Sequence, residues 1–351
     1  MKRAACKEWP RLLNPEAGCY PLIAEHRATE RILHLALRND FEKNPGVARA
    51  FKSIAEEYRE VDWRYVAPEK RAALTLCAAR EIRPTLVFLQ LQDRGVFMPG
   101  DIVKLRQACD PTVVICNWDG DQHYDPPSPQ RQWFADLERV CDASLVPNTR
   151  HPAIYAGMGV RHPGYLQVAI DPEIYRPAPP APGVQPVVCL ATCYGNQLHQ
   201  RRTAMLETVK AMFPGLLGLY GGTWGTDGHP MLLQTQEAPV YAAARAALSI
   251  SIRNDLPRYS SDRLFRMLAS GAVCLVEAFP DCEGLGLLDG INCMLWSDLQ
   301  QLEGLIRSVL DSPEERWLPM RQAAVELSVD HTWVARFHEL LAIVDAVRSD
   351  R

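Results

Sequence analysis

The sequence predicts an α/β protein built from two doubly wound, parallel-sheet domains. Three observations carry that prediction. Unbroken apolar runs of strand length alternate with stretches of helical spacing. The alternation stops at a proline-dense segment and starts again beyond it. The chain has 351 residues, too many for one typical core and about right for two.

Residues 1–30 carry little periodicity and several prolines, and read as an irregular lead-in. Arg31–Arg38 (RILHLALR) reads as a strand, Val47–Tyr58 as a helix, Val61–Val66 as a second strand and Glu69–Glu81 as a helix. Thr85–Leu91 (TLVFLQL) and Thr112–Cys116 (TVVIC) are apolar throughout, with a helix at Gly100–Ala108 between them. Strands apolar on both faces must be covered by helices on both sides, as in parallel sheets.

Arg176–Pro186 (RPAPPAPGVQP) excludes helix and central strand, because proline fixes φ and lacks the amide donor. The order then restarts with a strand at Val187–Thr192, a helix at Arg201–Met212, a strand at Leu216–Tyr220, a helix at Tyr241–Ala247 and a strand at Leu248–Arg253. Arg258–Gly271 reads as a short helix capped by Ser260, Ser261 or Asp262 and stopped by Gly271, leading into a buried strand at Ala272–Glu277. Helices at Leu299–Leu310, Glu314–Glu326 and Thr332–Val347 complete the chain. The expected organisation is a first domain over 1–176, a linker over 177–186, a second Rossmann-like domain over 187–330 and a helix over 331–351 packing back across both.

Composition excludes several classes. Hydrophobic residues make up 47% and charged residues 23%, as in ordinary globular proteins rather than disordered ones. No run of about 18 apolar residues predicts a membrane span. No apolar segment follows the two early basic residues as a secretory signal would require. Eleven cysteines, an odd number without a C-x2-C pair, fit reduced thiols and a cytoplasmic location. The nine histidines form no H-x3-H or H-E-x2-H pattern, so no metal site is expected. A net charge of −4 gives no overall attraction to nucleic acid or anionic lipid.

The helix expected after Ser261 carries the strongest chemical signal. Its unpaired amide groups and dipole favour an anion, and Arg258 and Arg263 add charge beside it.

These elements, the segment Ser261-Asp-Arg263-Leu-Phe-Arg266 ahead of Gly271-Ala272, the stretch Gly159–Tyr175, Leu219-Tyr-Gly-Gly-Thr-Trp224 and a terminal helix opening at HTWVARF together resemble the GT-B glycosyltransferases. The resemblance is greatest to the branch of CgeB-like spore-maturation proteins and related phage enzymes, and covers most of the chain from about Arg31 onward. It implies two Rossmann-like domains facing each other, with a nucleotide diphosphate sugar as co-substrate, no further cofactor and no metal. The first domain would hold an acceptor hydroxyl on a glycan or small molecule, or on a modified DNA base, which the net charge does not favour.

Ligands of such sheets lie beyond the carboxyl ends of the strands. The donor would therefore meet Gly195 and Arg201 or Arg202 after one strand, and Gly222 and Trp224 after the next. Around the opening helix it would meet Arg258, Ser260, Ser261 and Arg263, with Glu283 as a ribose acceptor. On the acceptor side stand Gln90, Gln92 and Trp118. Asp119, Asp121 and His123 crowd a glycine at a strand end, and Asp121 or His123 would be the base of an inverting enzyme; in a retaining one the departing phosphate would assist. Asp119-Gly-Asp121 has the spacing of a metal-binding pair, but the resemblance assigns leaving-group charge to the arginines.

The chain departs from the family at two positions. Relatives place a ribose-binding glutamate where this chain has Arg266, and an acidic residue where it has Arg258. Arginine offers donors only. Either the donor is held in another way, or the fold acts as a catalytically silent binding protein. By itself Arg266 reads as an exposed ion-pair partner of Asp262 four residues away.

Overall fold

Every strand pairing in the two sheets is parallel. The structure is a computed structural model that describes residues 30–37, 45–92, 95–120, 129–193, 197–225 and 228–351. It divides into two units, each treated by itself. The first runs from Ala24 to Val168 and includes Trp333–Arg351; the described part of the second is Ala169–Thr332.

The first unit contains β1 (Arg31–Ala36), α1 (Pro45–Ile54), β2 (Glu57–Asp62), α2 (Pro68–Ile82), β3 (Leu86–Leu89), α3 (Pro99–Ala108), β4 (Val114–Trp118), α4 (Pro129–Glu138), β5 (Ala143–Val146), α5 (His151–Gly157) and β6 (Pro163–Tyr165). Its sheet order is β2-β1-β3-β4-β5-β6. Leu33, Leu35, Val87, Leu89 and Ile115 on one sheet face bury against Ile82, Ile102 and Leu105 of α2 and α3.

Aromatic packing joins α1 and a far helix, α11 (Trp333–Ser349), to the same sheet. Phe337 stacks on Phe51 at 3.7 Å, and both meet Phe88 of β3. Each such fully buried ring contributes about 2–3 kcal/mol. Arg348 of α11 adds a two-pronged bond to the Glu30 carboxylate, with Nη2 at 2.9 Å from Oε2, and reaches the Thr85 carbonyl at 3.0 Å.

The second unit contains β7 (Val187–Leu190), α6 (Gln197–Met212), β8 (Leu217–Tyr220), α7 (Gln234–Ala243), β9 (Ala246–Ser249), α8 (Asp262–Ala269), β10 (Cys274–Glu277), β11 (Met294–Trp296), α9 (Leu299–Asp311) and α10 (Leu318–Ser328). Its sheet order, β11-β10-β9-β7-β8, reverses direction between β7 and β9. That reversal opens a crevice at the carboxyl ends of these two strands. Among the described residues no helix is long and apolar enough to cross a membrane.

Several boundaries differ from the sequence reading. The second strand lies at Glu57–Asp62 rather than Val61–Val66, because Trp63–Tyr65 turns into a 3-10 helix that buries Trp63. The helix expected at Tyr241–Ala247 lies at Gln234–Ala243 despite Pro239, and Ala246–Ser249 is strand. The proline-dense stretch packs within the second unit, where the Ala181 amide donates to the Pro239 carbonyl at 2.9 Å. The units change over at Val168/Ala169 and Thr332/Trp333, and α11 sits with the first.

Candidate functional site

α8 forms where expected and is buried from Arg263 to Ala269. Gly271, at φ +70°, ends it: Ala272 N–H bonds the Met267 carbonyl at 3.2 Å and Gly271 N–H the Leu268 carbonyl at 3.0 Å. Glycine takes this left-handed conformation without strain. At the other end Ser261 has the extended backbone of an N-cap, but its side chain does not cap. Its Oγ instead accepts from Arg263 Nη2 at 3.1 Å. Ser260 is buried beside it.

Arg263 is only 8% exposed. It lies across the switch point, with Nη1 3.0 Å from the carbonyl of Leu190 at the end of β7 and Nη2 3.1 Å from the Ile250 carbonyl just after β9. Arg202 of α6, 6% exposed, points to the same strand ends. Its Nη2 donates to the Thr192 carbonyl and to His199 Nδ1. All of these acceptors are neutral. The Nε–H groups of both arginines are buried without a partner. Burial first, and then repulsion from Arg263, push Arg202 down to about 10.

Two buried cations side by side, with no carboxylate bonded to either among the described residues, cost several kcal/mol unless a counter-charge arrives. The switch point of the second sheet thus carries buried positive charge beside the amino end of α8.

The remaining arginines at these loops are neutralised. Arg266 is buried, not exposed as its sequence suggests. It grips Glu237 of α7 at 3.0 and 3.2 Å, also pairs with Asp262, and lies over the Tyr175 ring. Arg201 is held by the buried Glu277 at the end of β10, with Nη1 3.2 Å from Oε2. Arg258 donates from Nε to Asp281 at 2.5 Å, and both residues have positive φ, 57° and 56°. Its guanidinium lies over Gly284, where a Cβ would stand 2.3 Å away. Such local strain is held by the surrounding contacts and gathers at functional loops.

After β8, Trp224 joins the apolar core and donates to the Ala191 carbonyl, so its ring is buried rather than presented to a donor as expected. Gly222 faces open space, whereas Gly221 is the residue that must be glycine: its φ is +130° and a Cβ would lie 2.5 Å from the Ala191 oxygen. Glu283 is exposed on the 3-10 turn Cys282–Leu285. Gly195 lies outside the described residues.

In the first unit Asp119 is 1% exposed and pairs with the fully buried Arg131 at 3.2 Å. Arg131 also donates to Tyr155, and Glu138 is fully buried nearby. Burial and the charge of Asp119 raise the Glu138 carboxyl well above the usual range, against the opposing pull of Arg131. Asp119 is thus committed to a buried ion pair rather than poised as a base. Asp121 and His123 lie outside the described residues.

Trp118 is buried too, donating to the Leu166 carbonyl at 2.8 Å and meeting Trp333 edge-on. Gln90 is buried, its Oε1 2.8 Å from His34 Nε2 and accepting from Leu37 N–H at 3.3 Å. Gln92 reaches Gly120, where a Cβ would lie 2.7 Å from Trp118 and 3.1 Å from Gln92 Nε2. Of the three acceptor candidates only Gln92 retains partial exposure. Among the described residues no cluster of His, Cys, Asp and Glu could hold a metal ion.

Sequence reasoning missed His199, Glu237 and Arg131. His199 stands in the loop-to-helix segment already singled out, and its spacing of three from Arg202 on a helix was the available signal. Glu237 and Arg131 meet their partners only through the tertiary fold.

Residues 201–342 match a family described as glycosyl transferase-like. No curated protein matches the chain. Among solved structures the chain is similar to HepE of Anabaena in complex with UDP and glucose, with 11% identity, a TM-score of 0.62 and coverage of 90% of this chain and 100% of that one. It is also similar to sucrose-phosphate synthase from Thermosynechococcus elongatus, with 12% identity, a TM-score of 0.60 and coverage of 92% and 100%. A glycosyltransferase from Rickettsia africae gives 9% identity, a TM-score of 0.62 and coverage of 92% and 99%. The chain has the fold of the GT-B glycosyltransferases.

Proposed function

We propose that the protein is a glycosyltransferase that takes a sugar from a nucleotide diphosphate donor and passes it to an acceptor hydroxyl. The observation that carries this reading is the buried pair Arg202 and Arg263, at the switch point of the second sheet and without a carboxylate partner among the described residues. A diphosphate supplies the missing counter-charge. As the sugar leaves, negative charge grows on the diphosphate, and preorganised guanidinium groups stabilise it without rearrangement. The charge role is thus assigned to arginine rather than to a metal ion. The family match over 201–342 spans nearly all of this unit's site, and HepE's complex with UDP supports a uridine nucleotide as the first donor to try.

The first unit would hold the acceptor, with Asp121 or His123 as base, since Asp119 is already paired. The segment Ser261–Arg266 ahead of Gly271 supports placement in the CgeB-like branch. A second reading, a silent nucleotide-binding relative, is favoured by Arg266, whose pairing with Glu237 leaves no carboxylate at the position the family uses for ribose.

Calorimetric titration with nucleoside diphosphates and their sugars tests the donor site; binding of at least one is expected, and binding of none overturns the proposal. Release of free nucleotide in the presence of glycan, small-molecule or DNA acceptors, followed by mass spectrometry, separates transfer from silent binding.

A further inference from the structure

His199 stands in the first turn of α6 and is 9% exposed. Its Nδ1 lies 2.8 Å from Arg202 Nη2 and 3.3 Å from the Thr192 carbonyl. A guanidinium can only donate, so at this distance Nδ1 must offer its lone pair, and the proton of the neutral ring sits on Nε2. The short carbonyl distance has the same cause, since Arg202 Nη2 donates to Thr192 O as well. His199 is the one side chain among the described residues that bonds Arg202. Without it, one Nη2–H loses its acceptor, and the Thr192 carbonyl alone holds the guanidinium against repulsion from the neighbouring Arg263 charge.

We infer that His199 is a positioning residue for the anion site: its Nδ1 lone pair fixes Arg202 beside Arg263, in the arrangement that receives a diphosphate. This rests on the diphosphate reading given above. The role belongs to one ring atom, which makes it separable from mere packing. Asparagine places its side-chain oxygen close to where Nδ1 stands, whereas the amide of glutamine falls nearer the Nε2 position.

The experiment is calorimetric titration of the full chain with inorganic pyrophosphate and with UDP at fixed salt. His199→Ala, His199→Gln, His199→Asn, Arg202→Met and the double variant His199→Ala/Arg202→Met are compared, with melting temperatures recorded for each. His199→Ala and His199→Gln should weaken both probes about tenfold, and His199→Asn should stay within about threefold of the unmodified chain. The double variant should be no weaker than Arg202→Met alone, because the effect passes through Arg202.

Unchanged affinity in His199→Ala, equal losses in all three single His199 variants, or full additivity in the double variant each overturns the inference. If His199→Ala does not fold, the contrast between asparagine and glutamine decides it. An unmodified chain that binds neither probe overturns the diphosphate reading itself, and the inference with it.

Discussion

Each unit buries arginine at the carboxyl ends of its parallel strands, and the two do so in opposite ways. In the first unit Arg131 has no exposed surface and is surrounded by acid, with Asp119 at 3.2 Å and Glu138 nearby. In the second, Arg202 and Arg263 face carbonyls, a hydroxyl and an imidazole, and repel one another. Burial is alike in the two places; the sign of the surroundings is not. Arg131 completes a neutral knot that holds the sheet to α4 and α5. Among the described residues no carboxylate bonds Arg202 or Arg263.

The largest test of that contrast is Arg131→Met, which removes the guanidinium paired with the buried Asp119 carboxylate and should cost about 3–5 kcal/mol in urea unfolding. Arg263→Met is its counterpart. It should cost less than about 2 kcal/mol of stability while weakening UDP and pyrophosphate binding about thirtyfold. If Arg263→Met proves as destabilising as Arg131→Met with binding unchanged, the contrast collapses.

Arg348 offers an intermediate case, a half-exposed arginine on the buried Glu30. Burial raises the Glu30 carboxyl, but bonds from Arg348 and Thr85 outweigh that and hold it below its ordinary value. An acid with a lowered folded pKa stabilises the fold above its unfolded pKa and loses that contribution as pH falls. Arg348→Ala should therefore cost about 2–3 kcal/mol at neutral pH and progressively less in acid, as followed by thermal melts across pH.

Glu138→Gln is the smallest effect and has the opposite sign. Because burial raises the Glu138 carboxyl in the folded state, its contribution is full below the unfolded pKa and fades as pH rises. The stability of the glutamine variant relative to the natural chain should grow by about 1 kcal/mol or more from pH 4 to pH 8. A difference that stays flat with pH contradicts the assignment of a raised carboxyl.

Much of the scaffold was legible because apolar runs such as TVVIC and VVCL report parallel strands buried on both faces. The Ser261–Gly271 segment was legible because helix length and a glycine stop are local events, although the expected side-chain cap is not made. The pairing of charges was not. Nothing near Arg266 in sequence points to Glu237, 29 residues away, and Asp119 meets Arg131 only because β4 and α4 pack together. The two tryptophans misled for a related reason: an indole after a strand looks available to a ligand, yet Trp118 and Trp224 find carbonyl partners indoors. The slip at α7 came from Pro239, which sequence rules treat as a breaker but which this helix tolerates.

The stacking of Phe337 on Phe51 also bears on how the protein is made. The sheet that leaves the ribosome first receives its covering helix only after the whole second unit has been translated. Until then Phe51 and Phe88 lack their lid, and the nascent first unit presents a sticky surface that chaperones would recognise.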